Sequence, residues 1–148
     1  MPEKLLNDQV IGQVKEVFEQ LQEPVQLLFF GRKAGCEYCD DTLQLTQEIV
    51  DLSEKIDLSV YDLDDDASVA EQYGVDKAPG LVIAGKDGDS IQDYGVRYSG
   101  IPSGHEFSSF IHSIILVSSR DSGLSAQTRE ILAKLTEPVH LQVFVTPT

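Results

Sequence analysis

The chain has 148 residues, enough for one globular domain with a core of its own, and 41% of them are apolar. Asp and Glu outnumber Lys and Arg by 25 to 11, and a formal charge of −14 disfavours nucleic-acid and anionic membrane partners. No apolar run approaches the ~20 residues that span a bilayer, the N-terminus lacks the basic-then-apolar order of a signal peptide, and two cysteines do not make a secreted disulfide scaffold, so a cytoplasmic protein is expected.

Leu6, Val10, Val14, Val17, Phe18 and Leu21 recur at helical spacing and predict a helix over residues 5–22. Pro24 punctuates the chain, and VQLLFFG is a short apolar β run ending at Gly31, with Phe29 and Phe30 expected in the core. Leu45, Ile49, Leu52 and Ile56 predict a second helix over residues 37–55. DLSVYDLD alternates as a strand, and DDDASVAEQYGV reads as a short helix with an acid-rich start that stops at Gly74. Asp62, Asp64, Asp65 and Asp66 lack the Gly and terminal Glu of a calcium loop, and are expected to be a solvated helix start. GLVIAGKDGDS and IQDYGVRY predict a hairpin, and PSGHEFSSFIHSIILVSS a closing helix. The order α-β-α-β-α-β-β-α predicts a mixed central sheet flanked by helices.

LQEPVQLLFF (Leu21 to Phe30) and LTEPVHLQVF (Leu135 to Phe144) share six of ten positions at a constant offset of 114 residues, and the preceding helical segments VKEVFEQ and TREILAK match in pattern at the same offset. Residues 1–119 are therefore expected to form one unit. Residues 120–148 are expected to be a linker plus the first helix and strand of a second unit, truncated before a second cysteine motif. A strand such as VHLQVFV with no sheet to join is an edge hazard, which points to a homodimer or a swapped contact.

Both cysteines, Cys36 and Cys39, lie in one CEYC tetrad between the first strand and the second helix. A helix N-terminus carries unsatisfied N–H groups and partial positive charge, which favour a thiolate at Cys36. Cys39, one turn later and more buried, suits a resolving role. Arg32 and Lys33 add positive potential and Glu37 opposes it. Two other readings stay open: half of a zinc site completed by two of His105, His112 and His140, although nothing places these near Cys36, and an inert structural disulfide. Downstream, YGVDKAPGLVI sets Pro79 at the start of a strand, where cis and trans bonds are both admissible taken alone; with CxxC some 40 residues upstream a cis Ala78–Pro79 bond is expected.

The element order, with CxxC after the first strand and a proline before the third, resembles the thioredoxin fold, here with an extra N-terminal helix. The Tyr in CEYC looks like glutaredoxin, and no Trp precedes Cys36 as in ordinary thioredoxin. The N-terminal helix, APGLVI, YGVRYSGIPSGHEF and the EPV repeat together resemble the two-unit, glutaredoxin-like protein disulfide oxidoreductases of the thioredoxin superfamily. The resemblance implies disulfide exchange with protein substrates, no cofactor beyond a redox-active Cys36–Cys39 pair, no metal, and electrons from a thioredoxin-reductase-like flavoenzyme. By position, Cys36 is the nucleophile, Cys39 the resolving thiol, and Ala78 and Pro79 the substrate-presenting loop; Tyr38, between the cysteines, is placed on the same face. The second-unit CxxC of that family is absent. Ala78 stands where glutaredoxins carry a polar or branched residue, and YSGIPSG lacks the acidic cap usual in a glutathione site. A non-catalytic docking or scaffold unit of a larger two-unit protein is the alternative.

Overall fold

A computed structural model describes residues 3–146. Strand β1 (Val25–Gly31) is central, with β2 (Ile56–Asp62) parallel on one side and β3 (Gly80–Asp87) antiparallel on the other; β4 (Ser90–Ser99) closes the order β2-β1-β3-β4. Side chains alternate across β1 as strand geometry requires. Val25, Leu27 and Phe29 face one core, and Leu28 and Phe30 the other. The first core is covered by α1 (Asp8–Phe18), α2 (Cys39–Val50) and α4 (His105–Ser119), and the second by α3 (Ala67–Tyr73). The thioredoxin-like α/β architecture with its extra N-terminal helix is present as expected. Among the described residues no helix is long and apolar enough to cross a membrane.

Two helices are shorter than their apolar stripes. In α1, Asn7 caps the start by accepting from the Val10 N–H at 2.9 Å, and regular helix ends at Phe18. Leu21 is nonetheless buried, because the turn that follows tucks it into the same core. The helix expected over residues 37–55 runs only from Cys39 to Val50; Leu52 follows in a turn and Ile56 already begins β2.

The C-terminus of α4 is tied to the bottom of β1. Ser118 is fully buried; its hydroxyl donates to the Glu23 carbonyl at 2.7 Å and accepts from the Gln22 N–H at 2.9 Å. Arg120, in the left-handed region at φ 54°, donates to the carbonyls of Val117, Pro24 and Lys86. Its guanidinium lies over Gly85, where a Cβ would come within 2.8 Å of Cζ, so a larger residue at this strand position would displace the guanidinium.

Beyond α4, α5 (Ala126–Leu132) buries none of its residues. Residues 135–146, including VHLQVFV (Val139 to Val145) expected as a strand, have no regular structure, and Leu141, Val143 and Phe144 are 84–88% exposed. The apolar alternation is there, but a strand needs a hydrogen-bonding neighbour, and none of the four described strands pairs with it.

The N-terminal segment is held by Glu48 of α2. Its carboxylate accepts from the N–H groups of Leu5 at 3.0 Å and Leu6 at 2.9 Å, and from the Gln44 amide at 2.9 Å. Partial burial works against the charge, but these donors outweigh it and hold the carboxyl below its ordinary value. A depressed folded value contributes stability that is complete above the unfolded value and lost as pH falls through the folded one. Glu48→Ala is therefore expected to cost about 1–2 kcal/mol at pH 7, and the gap from the parent protein to narrow below about pH 4, as read from urea midpoints at the two pH values.

Candidate functional site: the Cys36–Cys39 disulfide

Cys36 and Cys39 are joined by a disulfide with Cα atoms 5.5 Å apart. Cys36 lies in the loop between β1 and α2 and is partly exposed; Cys39 is the first residue of α2 and only 6% exposed. Tyr38 between them is 51% exposed, and its carbonyl accepts from both the N–H and the hydroxyl of Thr42. Thr42 and Thr46 are fully buried, and the Thr46 hydroxyl returns to the Thr42 carbonyl at 2.7 Å. These threonines satisfy their own hydroxyls on the inner face of the helix that carries Cys39. A reading based on apolar stripes passes over them; their i, i+4 spacing is the available signal.

Gly31 makes the approach to the disulfide possible. A Cβ there would sit 2.7 Å from the Phe29 ring and 3.7 Å from the Cys39 sulfur. Phe30 pairs with Gly80 in the β1–β3 register, which carries Pro79 to the end of β1 where the cysteine loop begins. The Ala78–Pro79 bond is cis. Ala78 and Cys36 pack against the same core cluster, and the Pro79 carbonyl accepts from the Gly100 N–H at 2.9 Å. The structure thus brings Cys36, Cys39, Ala78 and Pro79 to one end of the sheet. The segment leading to Pro79 is steadied from β4: Arg97 donates to the Tyr73 carbonyl at 2.9 Å and forms an ion pair with Asp93 at 2.6 Å.

The charge arrangement differs from the sequence expectation. Arg32 and Lys33 do not stand free beside the cysteines; Arg32 pairs with Asp64 at 3.1 Å and Lys33 with Asp65. The acidic run is more than a solvated helix start, because it holds the cysteine loop. Asp62 accepts from the backbone N–H groups of Lys33 at 3.1 Å, Asp64 at 2.9 Å and Asp65 at 3.1 Å, and Asp66 accepts from the Asp62 N–H at 2.8 Å. The N–H groups of Asp65 and Asp64, with Lys33 in support, hold the Asp62 carboxyl below the usual carboxylate value, while the Asp65 carboxylate raises the Lys33 ammonium. Among the described residues no three His, Cys, Asp or Glu side chains converge to hold a metal ion.

Residues 25–112 match the family described as the thioredoxin domain. The chain belongs to the thioredoxin-domain family. It resembles the solved protein disulfide oxidoreductase of Aeropyrum pernix K1 (TM-score 0.75, 27% identity, 87% of this chain and 55% of that one). It also resembles the N-terminal domain of the alkyl hydroperoxide reductase AhpF of Enterococcus faecalis (TM-score 0.75, 29% identity, 86% of this chain and 60% of that one). The corresponding alkyl hydroperoxide reductase component of Staphylococcus aureus is 26% identical over 144 residues, 97% of this chain and 25% of the relative. The chain therefore spans about a quarter of the length of the curated relatives it matches. A thioredoxin domain with a CxxC disulfide is equipped for thiol–disulfide exchange, the general chemistry of an oxidoreductase.

The Asp62 clamp has a direct readout. In Asp62→Ala the Lys33 amide is expected to exchange with solvent about five- to tenfold faster, corresponding to one lost hydrogen bond, while the Leu28 amide in β1 keeps its protection; amide hydrogen exchange measures both.

Proposed function

We propose that this thioredoxin-domain protein exchanges disulfides with protein substrates, with Cys36 as nucleophile and Cys39 as resolving thiol. The observation that carries the reading is the unequal exposure across one disulfide: Cys36 is partly exposed and Cys39 is buried in the core. In the dithiol form, the Cys36 thiolate attacks one sulfur of a substrate disulfide. The other substrate sulfur leaves as a thiolate and takes up a proton. Cys39, deprotonated, attacks the Cys36 sulfur of the mixed disulfide, and the remaining substrate sulfur leaves as the second thiol. Two electrons have passed to the substrate, and the protein ends with the disulfide described above. Run backwards, the same steps oxidise a substrate dithiol.

The position of Ala78 and Pro79 at the same sheet end as Cys36 supports a protein substrate, because the backbone of residue 78 is suited to pair with an extended segment there, and Tyr38 adds apolar surface. A thioredoxin-reductase-like flavoenzyme is the proposed electron donor, in the cytoplasm. The likeness to proteins named as alkyl hydroperoxide reductase components supports a partnership of that kind. One feature favours the docking alternative: the apolar residues Leu141, Val143 and Phe144 are nearly fully exposed, as in a unit whose main task is to contact another.

Equilibration in dithiothreitol redox buffers, with free thiols counted by mass after alkylation, is expected to show a reversible two-electron transition between ~−270 and −120 mV. A pair that stays oxidised far below that range means a structural bridge instead. Cys36→Ser is expected to abolish exchange, and Cys39→Ser to accumulate a mixed disulfide at Cys36, visible as added mass. If Cys36→Ser leaves the protein's cellular role and partner binding intact, the docking reading stands.

A further inference from the structure

At the sheet end that carries the disulfide, Arg32, Lys33 and Lys77 each have an acidic side chain within ion-pair distance. Arg32 pairs with Asp64, Lys33 with Asp65, and Lys77 with Asp76 at 3.9 Å. Asp62 and Asp66 are occupied by backbone N–H groups. Glu37, next to Cys36, and Asp40 and Asp41, in the first turn of α2, are exposed and have no ion-pair partner among the described residues. The two aspartates also weaken the positive end of the α2 dipole as seen from solvent. The loop from Gly100 to Gly104 brings no charge, and α4 starts with His105 and the carboxylate of Glu106.

We infer that the Cys36–Cys39 site selects disulfides carried on cationic segments and disfavours anionic disulfides of the glutathione type, through the uncompensated carboxylates of Glu37, Asp40 and Asp41. The inference rests on the exchange reading above and names its substrate class. At a nominal separation of about 10 Å through water and at low salt, three carboxylates change the local concentration of a singly charged group by about five- to tenfold, upward for a cation and downward for an anion. The overall charge of −14 acts in the same direction at longer range.

The test uses the reduced full chain and three small disulfides that differ in end charge: cystamine, bis(2-hydroxyethyl) disulfide and 3,3′-dithiodipropionate. Each consumes the Cys36–Cys39 dithiol and returns two small thiols plus the protein disulfide. Second-order rates are divided by those of the same reagents with free dithiothreitol, which removes intrinsic reactivity. The normalised cystamine rate is expected to exceed the dithiodipropionate rate by at least about tenfold at low salt. The ratio is expected to fall toward one near 1 M salt, where the screening length is ~3 Å. It is also expected to shrink in the combined Glu37→Gln, Asp40→Asn, Asp41→Asn variant, and the salt series on the parent protein stands should that variant not fold. Normalised rates that are equal at low salt, with exchange intact for all three reagents, overturn the charge selection alone. Failure of every reagent, the neutral one included, to oxidise the dithiol overturns the exchange reading and this inference with it.

Discussion

Seven consecutive buried residues, Val25 to Gly31, are the constraint around which the molecule is arranged. A strand with both faces and both edges covered can place its C-terminal end with little freedom. Phe29 and Phe30 commit the last turn of side chains to opposite cores. Gly31 then gives the space into which the Cys39 sulfur and the Phe29 ring settle. β3 comes back along the same strand in a register that ends at Pro79. The disulfide and the cis-proline loop meet because both are anchored to one rigid edge of β1, not because they attract each other.

The second level of organisation is electrostatic and local. Loops at functional ends are usually the loose parts of a fold. Here the loop before Cys36 is tied to the β2–α3 turn by the Asp62 carboxylate and by the two ion pairs of Arg32 and Lys33. Exposed ion pairs contribute little stability individually, and the three backbone N–H groups on Asp62 carry more of the positional information. The same arrangement pairs Arg32 and Lys33 with carboxylates of the β2–α3 turn, while Asp40 and Asp41 in the first turn of α2 have no ion-pair partner among the described residues.

Much of this was legible in the sequence where the signal is local or periodic. The apolar run of β1, the CEYC tetrad at a strand–helix junction, and Pro79 opening a strand each identify themselves within a few residues. Helix ends were less legible: Leu21 extends the stripe of α1 although its backbone has already left the helix. The role of the acidic run was hidden because it depends on residues about 30 positions apart, such as Lys33 and Asp62, being brought together by parallel pairing of β1 with β2. The repeat of the EPV segment carries the pattern of a strand. Pattern alone does not produce one, and residues 135–146 have no regular structure.

The Asp62 network has a consequence for how the two redox states relate. The loop that starts at Arg32 is held by carboxylates: Asp62 accepts from the Lys33 N–H, and Arg32 and Lys33 pair with Asp64 and Asp65. Opening the bond between Cys36 and Cys39 therefore removes one covalent link and leaves the scaffold around it standing. In the exchange proposed above, the direction of electron flow is then set by the potential of whatever meets the pair.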